Sequence, residues 1–201
     1  MAPKKRVLGR VAKNPPVKLT NIERRCREHL LPDEVEALEK AAKVGRHPER
    51  DSLIILLMYR HGLRVGEAVA LRWAQIDLRQ GVMFVNRLKK GMPATHPISA
   101  RESRLLHAFK RNSPPSPFVF QSERGGPMAT RNVHRIIAAA GERANIDFPV
   151  HPHQLRHACG YYLALKGTDT RAIQAYLGHT DIKHTVQYTE LAPGRFQGFW
   201  G

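Results

Sequence analysis

The sequence predicts a mostly helical α+β domain with one small antiparallel sheet. Two observations carry that expectation. Apolar residues recur at helical spacing in segments opened by proline or a capping side chain and closed by glycine, whereas only the stretch from Gly81 to Ile98 reads as paired strands. With 201 residues, 42% of them hydrophobic, the chain is long enough to bury a core as one domain without disulfide or metal staples.

Globular character begins near Leu30. Pro32 suits the first turn of a helix, Asp33 and Glu34 favour its positive end, Val35 and Leu38 share a face, and Gly45 stops it. A second helix starts at Pro48. Its run Leu53-Ile54-Ile55-Leu56-Leu57-Met58 is apolar nearly all round, which marks the central core helix, and it closes at Gly62. Arg64 and Glu67 follow at once, in a short helix through Leu71. Gly81 to Leu88 has strand character, Lys89-Lys90-Gly91 reads as a hairpin tip, and Thr95 to Ile98 returns as the second strand, so a lysine sits at the end of a hairpin.

Ser99 caps a helix through Lys110, Ser113 to Pro117 is a loop, and Phe118-Val119-Phe120 is expected as a short strand. Gly125-Gly126 turns the chain, and Thr130 is expected to cap a long helix to about Ala144. From His153 a helix runs to Lys166 and stops at Gly167. Asp169 opens another that stops at Gly178, and Asp181 opens a last one carrying Tyr188. Three helices and two tight turns thus present Arg156, His179 and Tyr188. The tail from Leu191 to Gly201, with Phe196, Phe199 and Trp200, is apolar enough to pack on its own core or on a neighbouring subunit.

Lys and Arg number 33 against 17 Asp and Glu, a formal net charge of +16. That excess points to a polyanionic partner, nucleic acid first, although ribosomal and membrane-surface proteins share it. Residues 1 to 29 concentrate the charge in Lys4, Lys5, Arg6 and Arg10 among others, with Pro15-Pro16 between, and read as a flexible basic arm. A frayed tail is the plain alternative. Cys26 and Cys159 match no metal spacing and suit free thiols in a reducing compartment. No apolar run reaches the roughly 18 to 20 residues of a membrane span, and no signal core follows the basic N-terminus, so a cytoplasmic protein is expected.

From His151 to Tyr188 the chain gathers His153, Arg156, His179 and Tyr188 at short spacings. Two imidazoles, a guanidinium and a phenol are the groups needed to cut a phosphodiester without a metal. Each has a bland reading when taken alone. Arg64 suits a solvated helix start, Lys89 a solubilising turn, and Tyr188 a partly buried helix residue. His151, His153 and His157 suggest zinc by spacing, but the aspartate, glutamate or cysteine company of a zinc site is missing nearby. None of these readings predicts the joint spacing.

Taken together the motifs resemble the tyrosine recombinases, the phage-integrase-type site-specific recombinases, over about Leu30 to Trp200. The resemblance rests on Gly-Leu-Arg-x-x-Glu from Gly62 to Glu67, the hairpin lysine, His-x-x-Arg-His from His153 to His157, Leu-Gly-His from Leu177 to His179, and a tyrosine nine residues further on. Arg87 to Gly91, Thr95-His96-Pro97, His151-Pro152-His153 and Gly194-Arg195-Phe196 are similar to the single-domain recombinases that invert fimbrial promoter segments.

The resemblance implies a tyrosine-recombinase catalytic domain over residues 30 to 201, independent of metal, ATP or any other cofactor. It implies that Tyr188 attacks the scissile phosphate to give a 3′-phosphotyrosyl link and a free 5′-hydroxyl, which keeps the break reversible. Arg64 and Arg156 clamp the non-bridging oxygens, His179 adds a hydrogen bond, Lys89 protonates the departing oxygen, and His153 assists proton handling at the tyrosine. Glu67 and His157 are expected behind these groups, and Lys90 with the arm on the DNA. The expected partner is double-stranded DNA with paired target sites, bound by a homo-tetramer, with the nucleoid of a bacterium as the place of action. Longer members carry an N-terminal DNA-binding domain that 29 residues cannot build, which implies reliance on the arm, on neighbouring subunits or on accessory DNA-bending proteins. Three other outcomes use the same residues in part: integration or excision of a mobile element, relaxation of supercoils without synapsis, and a catalytically silent DNA-binding regulator. The last has no need of all six catalytic residues.

Overall fold

We describe residues 29–87 and 91–190 of a computed structural model of the chain. The basic arm before His29, the hairpin tip with Lys89 and Lys90, the tail from Leu191 and Cys26 lie outside the described residues. Helices come first and last. α1 (Pro32–Ala42), α2 (Pro48–Arg60) and α3 (Val65–Ala70) precede a three-stranded sheet, and α4 (Ala100–Asn112), α5 (Thr130–Arg143), α6 (Pro152–Leu165), α7 (Thr170–Leu177) and α8 (Lys183–Glu190) follow it.

α2 is the axis of the fold because it can be buried on every side. Leu53 to Met58 are all inaccessible to solvent, and the helix packs against α1, α4 and α6. The main core surrounds it, joined by Leu38, Leu106, Phe120, Val133, Ile137 and Leu155. A smaller apolar cluster under α6, α7 and α8 contains Cys159, Ala164, Ile173, Leu177 and Tyr188. That second cluster is the floor of the site described below.

The expected punctuation holds at most helix ends. Pro32, Pro48 and Pro152 stand in first turns, Ser99 Oγ accepts from the Glu102 N–H, and Asp169 Oδ1 accepts from Arg171 and Ala172 N–H groups. Asp181 Oδ1 likewise takes the Lys183 N–H at 2.9 Å. Thr130 differs from expectation: Ala129 occupies the N-cap, and Thr130 is already the first helical residue.

The sheet runs β1 (Ile76–Asp77), β2 (Val82–Val85), β3 (Ala94–Pro97) in spatial order, antiparallel throughout, with Met83 opposite His96 and Phe84 opposite Thr95. β1 was not expected from the sequence. Asp77 Oδ1 accepts from the N–H groups of Arg79 and Gln80, and that turn folds the two-residue strand onto β2. Phe118-Val119-Phe120 is not a strand. Phe118 makes an isolated bridge to Arg72 and Phe120 O accepts from Met128 N–H, but no ladder extends, because the segment met at Leu71 to Trp73 is itself turning into a 3₁₀ helix.

Candidate active site

Two glycine-closed turns bring the site together. Gly62 ends α2 with φ +55, and a Cβ there would lie 2.3 Å from Leu177 Cδ2, so only glycine lets the α2 turn press against the end of α7. Gly178, with φ +65, ends α7 and leaves His179 beside that contact.

Arg156 enters from α6 and ties these turns to each other. Its guanidinium is buried, with Nη1 donating to Gly62 O at 2.6 Å and Nη2 to Leu177 O at 2.6 Å. Burial, then the charges of Arg64 and Arg87, push its pKa down to about 10, so it stays charged at neutral pH. Arg64 stands at the N-cap of α3. Its backbone N–H donates to Glu67 Oε2 at 2.9 Å and its Nη1 to Glu67 Oε1 at 2.8 Å, while the side chain keeps 30% exposure. Arg64 is therefore held from behind and open in front.

His179 is buried. Its Nδ1 lies 2.9 Å from Thr185 Oγ1 on α8, and Gln174 Nε2 donates to its carbonyl. Burial first, then Arg156, depresses its pKa to about 3, so the ring is neutral at pH 7 and one nitrogen carries the only N–H it has to give.

Tyr188 lies in the floor cluster with 1% exposure. Its ring sits directly on the backbone of α6, where a Cβ at Gly160 would come within 2.5 Å of Cε2. Its hydroxyl lies 3.0 Å from Nδ1 of His157. Burial raises the phenol to about 12 against the opposing pull of Arg156, and burial lowers His157 to about 3. At neutral pH a neutral phenol therefore meets a neutral imidazole, and roughly one molecule in 10⁵ is ionised at the tyrosine.

The sequence motifs thus converge for Arg64, Arg156, His179 and Tyr188, with Glu67 behind Arg64. His153 is exposed, with its ring 4.3 Å from that of His157, and His157 is the one bonded to the tyrosine. Lys89 and Lys90 lie outside the described residues. Among those described, no group of three or more His, Cys, Asp or Glu side chains is arranged to hold a metal ion. A cleft of about 550 Å³ lined by Arg46, His47, Phe109 and Gln121 shares no residue with the site.

Sequence reasoning quoted Arg87 only as part of a motif and gave it no role. Its side chain is wholly buried and bonds to Glu67. The signal was present: Met83 and Val85 face inward on β2, and the two-residue period of a strand puts Arg87 on the same side. A charge on an inward position needs a partner.

The buried histidines make stability depend on acid. His96, His157 and His179 are each depressed to about 3, chiefly by burial, whereas an unfolded histidine titrates near 6.5. Between those values the unfolded chain takes up protons that the folded chain refuses, so stability falls as pH drops from about 6.5 toward about 3. Each group contributes about 1.4 kcal/mol per pH unit in that window. Urea unfolding at pH 7 and pH 5 should show a clearly lower midpoint at pH 5; equal midpoints would contradict the burial of neutral rings.

The phage integrase family model matches residues 28–195. The type 1 fimbriae regulatory protein FimB of Escherichia coli K12 is 42% identical over 179 residues, covering 87% of this chain and 90% of FimB. Among solved structures, the XerA recombinase superposes with a TM-score of 0.72 at 26% identity, over 86% of this chain and 63% of that one. The XerH site-specific recombinase, in its post-cleavage complex with a palindromic difH substrate, gives 0.73 at 20% identity over 84% of this chain and 51% of that one, a likeness of fold. A family match over most of the length, a relative sharing two residues in five, and a helical fold built around the buried arginine and tyrosine agree: the chain belongs to the phage integrase family.

Proposed function

We propose that the protein is a site-specific DNA recombinase that cuts and rejoins strands through a phosphotyrosyl intermediate and inverts a DNA segment. The observation that carries this reading is Arg156, buried and bonded to the carbonyls of both turns, together with a partly exposed Arg64 and the neutral pair Tyr188 and His157.

The phosphate approaches the exposed side of Arg64. Arg64, Arg156 and the His179 N–H take its non-bridging oxygens, replacing water with fixed donors as charge builds in the pentavalent transition state. Tyr188 Oη attacks phosphorus, and its proton passes to His157 Nδ1, with His153 next toward solvent. The bond to the 5′-oxygen breaks and Lys89 gives that oxygen a proton, leaving a 3′-phosphotyrosyl bond and a free 5′-hydroxyl. Attack by a 5′-hydroxyl from a second strand reverses every step, so no ATP is needed. With Tyr188 and Arg156 each at 1% exposure, α8 must shift relative to Gly160 for the phenol to meet DNA, and the cover over the Arg156 guanidinium must open for it to reach the phosphate.

The role of Lys89 has its own check. Lys89→Ala should slow cleavage of ordinary DNA by roughly 10²- to 10⁴-fold and recover when the 5′-bridging oxygen is sulfur, a leaving group that needs no proton. Lys90→Ala should not need such rescue. Recovery of Lys90→Ala instead would move the acid by one residue.

Inversion is favoured over integration by the likeness to FimB across nearly its whole length. Double-stranded DNA with paired sites, four copies of the chain, and accessory DNA-bending proteins complete the reading. A plasmid carrying the DNA that flanks the gene tests it: the segment between inverted sites should flip. Excision between direct sites with no inversion would favour a mobile-element integrase, relaxation without rearrangement a topoisomerase, and binding without cleavage a regulator.

A further inference from the structure

Glu67 stands between two arginines. Its Oε1 holds Arg64, and its Oε2 accepts from Arg87 Nη1 at 2.8 Å. Arg87 also donates to His61 O at 3.1 Å, to Gly62 O at 3.3 Å and to Tyr176 O, so one guanidinium bonds to α3, to the α2 turn and to the end of α7. Its stem fills the space left by two glycines: a Cβ on Gly178 would lie 2.5 Å from Arg87 Cγ, and one on Gly91 2.6 Å from Arg87 Cβ. With a side chain of 0% exposure, Arg87 cannot itself touch DNA.

We propose that Arg87 is a positioning residue of the phosphate site, neutralising Glu67 so that the charge of Arg64 is left for the scissile phosphate. The inference rests on the strand-cleavage reading above. Glu67 is needed to aim Arg64, because it holds both the backbone and the guanidinium of that residue, yet a carboxylate beside a phosphate clamp opposes anion binding. A second cation behind the carboxylate removes the conflict. Arg64, Arg87 and Glu67 all act on Arg156 as well, the arginines lowering its pKa and Glu67 raising it, which puts these charges within range of one another. A residue that merely braced the turns would support every substrate alike, whereas a charge-balancing residue matters only when the substrate phosphate is charged.

The test is single-turnover formation of the protein–DNA adduct on a nicked target-site duplex, with either an ordinary phosphodiester or an uncharged methylphosphonate at the scissile position. Arg87→Met should lose roughly 10- to 100-fold on the phosphodiester and less than about threefold on the methylphosphonate, as expected for one charge removed from a partly desolvated site. Adding Glu67→Gln to Arg87→Met removes the uncompensated carboxylate and should bring the rate within about threefold of Glu67→Gln alone. Equal losses on both substrates, or no recovery in the double variant, would overturn the proposal and leave Arg87 a brace. Should Arg87→Met fail to fold, Arg87→Lys carries the test. It keeps the charge without the fork and should stay within about threefold of the parent on the phosphodiester; a larger loss overturns the proposal. Absence of any adduct with the parent protein would remove the cleavage reading, and this inference with it.

Discussion

Tyr188→Phe should reduce covalent protein–DNA adducts on a nicked target-site duplex below detection while leaving DNA affinity within about twofold. Only the nucleophilic oxygen is lost, and the ring that sits on Gly160 remains. Folding should lose no more than the roughly 0.5–1.5 kcal/mol of the hydroxyl's bond to His157. No other tyrosine competes well for the role. Tyr176, for example, donates its hydroxyl to Arg60 O at 2.9 Å and stacks on His96. Adducts that persist in the Phe variant, resolved by peptide mapping, would move the nucleophile elsewhere.

Arg156→Lys should lower the single-turnover cleavage rate by roughly 10²- to 10³-fold, the scale set by losing one preorganised donor at an oxyanion. A lysine keeps the charge but not the planar fork, so it cannot satisfy Gly62 O and Leu177 O while also facing a phosphate. One buried carbonyl is left short of a donor, which should destabilise the fold by about 1–3 kcal/mol. Both effects are measurable on the same preparation, by quench-flow cleavage and by urea unfolding. A variant that cleaves within about threefold of the parent would mean that the charge of Arg156 matters and its geometry does not.

Much of this was legible in the chain because the elements are punctuated locally. Pro48 and Gly62 bracket the core helix, Asp169 and Gly178 bracket α7, and a single residue type at each end is enough to place them. The spacing from His179 to Tyr188 is likewise a local property, carried on one turn and one helix. What could not be read depends on partners distant in sequence. Phe118 to Phe120 has strand composition, but its pairing is decided by the turn at Leu71 to Trp73. Arg87 meets Tyr176 across 89 residues: the period of β2 points the side chain inward, but it does not say which carbonyl waits there. The contact of His157 with the Tyr188 hydroxyl depends on where α8 packs across α6, which periodicity along α6 alone does not determine.

The seat of Tyr188 on α6 has a further consequence. Arg156 and Gly160 are one helical turn apart on the same rigid element, so the clamp and the resting place of the nucleophile share one ruler. Sliding α8 off Gly160 moves the phenol and leaves Arg156 bonded to its two carbonyls. Release of the phenol from its seat is thus a motion of α8 alone, which can occur without loosening the hold of Arg156 on the two turns.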